Sequence, residues 1–327
     1  MGLNAFFAYT VVLSMGYTYN HALVIVFISG IFFIVITKIG LREAIIRAIP
    51  DCVKKAITPG IGLFITIVGL KNCGLIVGHP STLLSMPDFS AWRTNPESLH
   101  TIACALVALF GLLVMGILHA KHVKGSIFIG IAAATVLGIP FGVTNLQNFS
   151  MNLGEKMHDF MELSFFHLDF KGLFAGENLA HSISTATGAL LGTSTVTTVV
   201  ESSAGIAEGG RTGMTSFVTA MLFLGSIILA PIVGIIPGAA TAPALIFVGI
   251  LMLSNIKNVD FSDMREALPA FCTIVFMPFT YSIANGIAFG LITYCIMSTF
   301  TGNGKKVKPL AWIIALVFML RYALMSM

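Results

Sequence analysis

Apolar runs of membrane-spanning length recur along almost the whole chain. A helix needs about 20 residues to cross a hydrocarbon core of about 30 Å, and runs near this length, without interruption by charge, predict helices that cross a membrane. The chain has 327 residues, 56% hydrophobic and 10% charged, with a mean hydropathy of +0.93. Soluble domains carry about 25% charged residues. The candidate spans are His21–Thr37, Ala56–Gly78, Ile102–Leu118, Ser126–Val143, Met214–Ile236, Ala239–Leu253, Leu268–Phe300 and Leu310–Leu324.

The sequence therefore predicts an all-α polytopic membrane protein, and we expect it in the plasma membrane. One candidate span leaves its number of crossings open. Leu268–Phe300 is too long for one simple pass, and Pro278 and Gly286 allow a break within it.

The positions of the basic loops predict the orientation of the spans, because cytoplasmic loops are enriched in Lys and Arg. The segments Lys38–Lys55 and Ala120–Lys124 are both basic, so we expect them on the cytoplasmic side. The alternate loops, His79–His100 and Asn145–Asp169, should then face outward. Two later segments, around Lys257 and Lys305–Lys308, are also basic, and whether both lie inside depends on the crossings of Leu268–Phe300.

Several classes of function find little support in the residues. The cysteines are scattered in apolar surroundings without a CxxC pair, and the histidines show no metal-ligand spacing, so we expect no metal and no cofactor. No basic patch suggests a nucleic acid. No nucleophile and base constellation or phosphate loop indicates an enzyme, and the carbonyl or charged-ring repeats of a channel filter are missing from the sequence.

The stretch Gly192–Gly213, GTSTVTTVVESSAGIAEGGRTG, is unusually polar for such a chain. Its first part is β-branched almost throughout, which favours an extended segment followed by the start of a helix. Extended backbone at membrane depth is tolerated where it lines a wet cavity, so the pattern predicts a discontinuous span beside a substrate pathway. The donors and acceptors on offer are the N–H groups at the helix start and the hydroxyls of Thr193, Ser194, Thr195, Thr197 and Thr198.

Glu201 follows this predicted break by about one helical turn. An ionised carboxylate in the membrane costs several kcal/mol and usually faces a cavity, so Glu201 is the first candidate for substrate binding and for carrying a proton. The competing interpretation of the whole stretch is a polar loop between two spans, since Ser, Thr and Gly are common in loops.

GTSTVTTVVESSAGIAEGGRTG closely resembles the signature of the AzgA-like guanine/hypoxanthine permeases, within the xanthine/uracil/vitamin C permease (nucleobase-ascorbate transporter) superfamily. The segments MGLNAFFAY, PGIGLFITIVGLKNCG and MPFTYSIANGIAFG are similar to that family's third, fifth and thirteenth spans. The resemblance implies a proton-coupled purine transporter with a uracil-transporter-like fold. Such a fold has two inverted seven-span repeats, discontinuous third and tenth spans, and a core domain that moves against a gate domain.

The same resemblance implies a binding site. The family's binding asparagine falls on Asn4, with Gly2 allowing close approach of the backbone, and the family's glutamate falls on Glu201. A purine presents N–H donors to a carboxylate and O6 and ring nitrogens to amides, so these groups are suitable partners. Phe6 or Phe7 could stack on the ring, although packing against lipid or protein is the commoner role of such a residue. Lys71 and Asn72 are weaker candidates for lining the gate, and Lys71 could equally extend to the membrane interface.

Compared with the family pattern, the chain is shortened and its core domain is incomplete. It begins at the family's third span, and the flanks LDFKGLFAG and ENLAHSISTATGALLG are joined almost directly where an eighth span with an acidic residue is expected. Loss of a single span would invert the orientation of everything after it, unless Phe160–Phe174 enters the membrane instead. The predicted domains are a first-repeat core remnant, a first gate part, an external loop and junction, a second core part and a second gate part, at residues 1–50, 51–143, 144–180, 181–236 and 237–327.

Two functions stay open at this point. One is a purine nucleobase permease, with a nucleobase, a proton and the lipid bilayer as partners. The other is a shortened, non-transporting membrane protein that packs with or regulates a full-length permease. The sequence leaves open which purine is preferred, and whether the chain forms a homodimer.

Overall fold

The computed structural model describes residues 30–31, 34–79, 83–87, 89, 96–144, 202, 209–210, 212–228, 235–304 and 307–325. The described elements are helices apart from one short hairpin. In chain order they are α1 (Leu41–Ala48), α2 (Asp51–Asn72), β1 (Val77–His79), β2 (Leu83–Ser85), α3 (Pro96–Ala120), α4 (Ser126–Gly138), α5 (Gly213–Ile228), α6 (Gly238–Leu253), a 3-10 turn (Ser254–Asn258), α7 (Met264–Phe279), α8 (Ile283–Phe300) and α9 (Pro309–Met325).

These helices confirm the prediction of an all-α membrane protein. Among the described residues, four helices are long and apolar enough to span a bilayer: Asp51–Asn72, Leu99–Ala120, Gly238–Asn258 and Ile283–Phe300. Shorter apolar helices cover Ser126–Gly138, Gly213–Ser226 and Pro309–Leu324.

Several predicted boundaries were wrong by a few residues. The span predicted to end at Gly78 ends at Asn72, because Gly74 adopts a φ of 73° and the chain then enters the antiparallel hairpin of β1 and β2. The span predicted to reach Val143 stops at Gly138, whose carbonyl accepts the N–H groups of Val143 and Thr144 as the chain curls back. The basic segment Lys38–Lys55, expected to be a loop, contains helix α1 and the first turn of α2.

By its internal contacts the chain divides into two compact units. The first combines Met1–Asp51, Asn152–Thr215 and Leu291–Met327, and the second combines Cys52–Met151 and Ser216–Gly290. The predicted assignment of segments to core and gate domains stays a prediction.

In the first unit, the end of α1 is anchored to the C-terminal helices. Ala48 is buried with Leu291, Cys295 and residues of α9 in one hydrophobic cluster. The Lys308 ammonium donates a hydrogen bond to the Arg47 carbonyl over 2.6 Å. Two basic segments that lie far apart in the sequence therefore meet in this unit.

The second unit contains a tight antiparallel pair, α3 and α4. The Gly130 position of α4 has no room for a side chain because Met115 of α3 fills it. One helical turn further along α4, Ala134 lies against Gly111 of α3. A Cβ added at Gly111 would lie 3.0 Å from the Ala134 Cβ and 3.1 Å from Pro243 Cγ of α6. Small residues thus allow three helices to approach closely, as is usual where helices pack within a membrane.

Helices α2 and α6 pack closely through glycines. A Cβ added at Gly62 would lie 2.8 Å from the Gly249 carbonyl oxygen, and a Cβ added at Gly249 would lie 2.6 Å from the Gly62 carbonyl oxygen. Further along, Gly69 faces Ala242 and Ile246, so the two helices run antiparallel. The contact is reciprocal, so the two glycines occupy equivalent positions in this antiparallel pair.

Helix α7 packs along the other side of α2 and runs parallel to it. A Cβ added at Gly60 would lie 3.3 Å from the Ile274 Cα, and Ala56 shares a buried cluster with Ala270 and Ile274. Within this unit, α2 therefore lies between α6 and α7.

The long candidate span Leu268–Phe300 is two helices that fold back on each other. The Gly286 position of α8 lies against Met277 and Thr273 of α7, and the Gly290 position lies against Thr273 and Pro269. This order makes the two helices antiparallel. The break falls between Phe279 and Ile283, directly after Pro278. Gly286, which the sequence suggested as a second breaking point, instead provides the close helix contact.

Candidate functional site

Most of the predicted site lies outside the described residues. This applies to Gly2, Asn4, Phe6, Ser194, Thr195, Thr197 and Glu201, so their roles stay predictions. Lys71 and Asn72, the predicted gate-lining residues, are described and lie in the last turn of α2 with exposed side chains.

The end of α2 is shaped by residues that terminate the helix. The Leu70 carbonyl accepts the N–H groups of Leu75 and Ile76, over 3.0 and 3.2 Å, and Gly74 takes the left-handed conformation that this turn requires. Cys73 is fully buried beside Ala105 of α3. Lys71 and Asn72 thus stand at a fixed helix end with their side chains open to the surroundings.

The turn between α7 and α8 lies against this end of α2. The Ser282 N–H donates to the Met277 carbonyl over 3.1 Å and the Tyr281 N–H donates to the Pro278 carbonyl over 3.2 Å, the hydrogen-bond pattern of a Schellman motif. The left-handed position of such a motif usually holds glycine. Here it holds Tyr281 at a φ of 52°, which costs about 1–2 kcal/mol for a residue with a Cβ.

The Tyr281 ring lies along one face of α2. Phe64 approaches it edge-on, with 5.3 Å between ring centroids and an interplanar angle of 68°. The Lys71 Nζ lies 5.4 Å from the Tyr281 ring centroid, within the range of a cation–π contact. Phe64 and Lys71 are two helical turns apart and so project from the same face of α2. We call Phe64, Lys71 and Tyr281 the aromatic cluster.

The start of α8 is secured by polar groups. The Ser282 hydroxyl accepts a hydrogen bond from the Asn285 N–H over 3.3 Å and so caps the new helix. On the other side of the turn, the Thr280 hydroxyl donates to the Phe276 carbonyl over 2.6 Å. The Ser282 bond satisfies an N–H at the start of α8 that has no partner within the helix, and the Thr280 bond is a second one to a carbonyl that also accepts the Thr280 N–H.

At the opposite end of α7, a polar loop carries acidic groups. Asp263 caps α7 by accepting the Arg265 N–H over 3.0 Å, and the Arg265 guanidinium pairs with the same carboxylate. Hydrogen bonds from the Arg265 side chain and backbone lower the pKa of Asp263, and bonds from the Ser262 hydroxyl and N–H lower the pKa of Asp260. Lys55, near the start of α2, lowers the pKa of Asp260 further, so this loop lies near the basic end of α2.

The sequence predicted Lys71 and Asn72 as gate-lining residues, which stays a prediction, and it did not single out Tyr281 or Phe64. The only sequence signal for Tyr281 was its position shortly after Pro278, within the quoted motif MPFTYSIANGIAFG. The usual sign of a left-handed helix end is glycine, and this site has none. Phe64 lies in an apolar run where nothing distinguishes it from other buried side chains.

The antiparallel apolar helices, close glycine contacts and broken helix pair are those of a polytopic membrane protein. The chain matches the xanthine/uracil permease model, described as Permease family, over residues 1–179 and 175–289. The chain therefore belongs to this permease family, a family of transporters and not of enzymes, and the resemblance recognised in its motifs is confirmed.

Individual relatives are similar over nearly the whole chain. The adenine permease AdeP of Escherichia coli is 36% identical over 358 residues, covering 98% of this chain and 78% of the relative. The guanine/hypoxanthine permease PbuO of Bacillus subtilis is 34% identical, covering 98% of this chain and 82% of the relative. The putative permease MJ0326 of Methanocaldococcus jannaschii is 39% identical, covering 100% of this chain and 81% of the relative.

The comparisons also locate a difference from the relatives. The family match is split, and its two parts meet at residues 175–179, at the junction where the motifs predict a missing span. The alignment with MJ0326 runs over 367 positions, 40 more than the 327 residues of this chain. Forty positions are enough for one span of about 20 residues and its loop.

Proposed function

We propose that the chain is a secondary active transporter of purine nucleobases such as adenine, guanine or hypoxanthine, coupled to protons and located in the plasma membrane. The observation that carries the proposal is the similarity to adenine and guanine/hypoxanthine permeases over 98% of the chain. Similarity over that extent includes both the polar stretch around Glu201 and the helix pair that holds the aromatic cluster.

In the proposed mechanism, Glu201 and Asn4 bind the purine. The Glu201 carboxylate accepts N–H groups of the base, and the Asn4 amide donates to its O6 or ring nitrogens. The hydroxyls of Ser194, Thr195 and Thr197 and the backbone at Gly2 complete the polar lining, and Phe6 stacks on the base. Protonation of Glu201 couples transport to the proton gradient, because a neutral carboxyl group crosses an apolar environment at a lower cost than a charged one.

The gate part of the mechanism requires a rigid body against which the binding residues move. The glycine contact between α2 and α6 supports such a role, since backbone atoms of the two helices touch with no flexible side chain between them. Lys71 and Asn72 belong to the exposed end of this body.

The first experiment compares the wild-type chain with Glu201→Gln. Uptake of radiolabelled adenine, hypoxanthine and guanine is measured in cells that lack their own purine permeases, with the membrane abundance of each variant determined in parallel. We expect saturable uptake by the wild type and its loss in Glu201→Gln at equal abundance. Unchanged uptake by Glu201→Gln would remove Glu201 from the site.

Asn4→Ala tests the second binding residue. We expect purine binding to weaken by about 1–3 kcal/mol, because the substitution leaves a polar group of the base unpaired. The dissociation constant of the purified protein is the measurement. A value equal to that of the wild type would exclude Asn4 from the site.

The second candidate function is a shortened partner of a complete permease. It is favoured by the split family match at residues 175–179 and by the extra positions in the alignments. Co-purification of the tagged chain with a full-length homologue, together with no uptake by the chain alone, is the result that this alternative predicts.

A further inference from the structure

Tyr281 has a left-handed backbone conformation, which is unfavourable for a residue with a Cβ. Among the described residues only His122 and Tyr281 combine a side chain with a positive φ. His122 lies in an exposed loop, whereas Tyr281 forms the turn between two closely packed helices. A residue held at such a cost, where glycine would fit without strain, points to a use for its side chain.

Two side chains of α2 contact the Tyr281 ring. Phe64 is itself buried and meets the ring edge-on, which fixes the orientation of the ring. The Lys71 ammonium lies over the ring and is carried by an exposed side chain. Tyr281 as a whole residue keeps 36% of its surface exposed. The aromatic cluster thus presents a rigid, partly accessible aromatic face covered by a long and flexible cation.

Such a face accepts two kinds of partner. A cation binds it through the ring quadrupole, weakly when the site is exposed. A flat heteroaromatic base binds the same face by stacking, which is generally the stronger contact. An arriving base can therefore displace the Lys71 ammonium.

We propose that Tyr281 is a substrate-recognition residue at the exposed end of α2, where the purine base stacks on the ring in place of Lys71. This inference rests on the proposed function and adds a contact to it. While no base is bound, the Lys71 ammonium covers the face of the Tyr281 ring and competes with other groups for contact with it. Phe64 is a positioning residue that acts through the ring.

The test measures equilibrium binding of radiolabelled adenine and hypoxanthine to the purified, detergent-solubilised chain. Tyr281→Phe keeps the aromatic face and should bind within about twofold of the wild type. Tyr281→Leu removes the face and should raise the dissociation constant about tenfold. Tyr281→Gly also removes the face but suits the left-handed backbone, so it gives the same answer if the leucine variant does not fold.

A matched control comes from the same helix pair. Phe276 and Phe289 stack with 4.3 Å between their ring centroids, and Phe289→Leu removes that contact without touching the aromatic cluster. We expect its dissociation constant to equal that of the wild type. A purely structural role of aromatic packing in the helix pair would affect both leucine variants alike, and would overturn the proposal.

Lys71→Met tests the competition. Loss of the covering cation should tighten binding by about two- to fivefold, and this gain should vanish in the Tyr281→Leu background because no face is left to uncover. An equal effect of Lys71→Met in both backgrounds would overturn the proposal. Equal affinity of the wild type, Tyr281→Leu and Tyr281→Gly would refute this inference alone, whereas no purine binding by the wild type would refute the proposed function and the inference with it.

Discussion

Single glycines determine how closely the helices of the second unit approach. Gly62 and Gly249 bring backbone against backbone between α2 and α6, and Gly60 does the same between α2 and α7. In an apolar medium, where burial of apolar surface drives no association between helices, such contacts contribute van der Waals packing that larger residues prevent.

Gly62→Ala should destabilise the protein. The added Cβ would lie 2.8 Å from both the Gly249 carbonyl oxygen and the Met252 Cβ, so backbone must shift. We expect a loss of about 1–3 kcal/mol, seen as a lower melting temperature in detergent. Gly116→Ala in α3 is the control, because nothing lies within 4 Å of its added Cβ, and it should be neutral or stabilising by up to about 1 kcal/mol. Equal melting temperatures for the two variants would contradict the role given to Gly62.

At the scale of the elements, helix ends and breaks are what sequence reasoning predicted least well. Hydrophobic length identified the spans, and Pro278 correctly indicated a possible break in Leu268–Phe300. The sequence did not decide whether α7 and α8 fold back on each other. That arrangement depends on tertiary contacts, those of Gly286 and Gly290 with Thr273 and its neighbours. The hairpin of β1 and β2 went unpredicted, since two strands of three residues carry too little pattern.

The capping of α7 gives an expectation for pH. The folded-state pKa of Asp263 is lowered, so its contribution to stability is present above the unfolded-state value of about 4 and is lost as the pH falls through the folded-state pKa. We expect Asp263→Asn to reduce the loss of stability between neutral and strongly acidic pH, measured as melting temperature in detergent. A pH profile identical to that of the wild type would show that the ionised Asp263 carboxylate contributes nothing to stability.

At the scale of the molecule, the helix directions within the second unit determine which helix ends lie together at the same end of that unit. Helices α2 and α7 are parallel, so Lys55 and Arg265 are at one end and Lys71 and Tyr281 at the other. This agrees with placing both basic segments in the cytoplasm. Helix α4 ends, and α6 begins, at the end of the unit where Lys71 lies. We therefore expect Thr144 and Gly238 to lie on the same side of the membrane.

The sequence alone could not reach this conclusion. Basic loops gave the orientation of the first half, but the shortened junction made the orientation of the second half ambiguous. Contacts between α2, α6 and α7 remove the ambiguity for residues after Gly238. Of the predicted binding residues, Glu201 followed from its position after the predicted helix break and from the family motif, and Asn4 from the family motif alone; both stay predictions because they lie outside the described residues.

Labelling of single cysteines tests this topology. In a cysteine-free background, Asn72→Cys and Gly238→Cys should react with a membrane-impermeant maleimide added to intact cells. Lys121→Cys and Ser262→Cys should react only after permeabilisation. Labelling of Asn72→Cys but not Gly238→Cys in intact cells would contradict the placement of these two residues on the same side of the membrane.

The central claim is that this chain transports purines by itself. The most direct measurement is uptake of radiolabelled adenine and hypoxanthine by proteoliposomes that contain only the purified chain, with and without an inward proton gradient. The proposed function predicts saturable accumulation that the gradient increases and that Glu201→Gln abolishes. No accumulation above that of protein-free liposomes, by a chain that is folded and inserted, would contradict it and favour a partner of a complete permease.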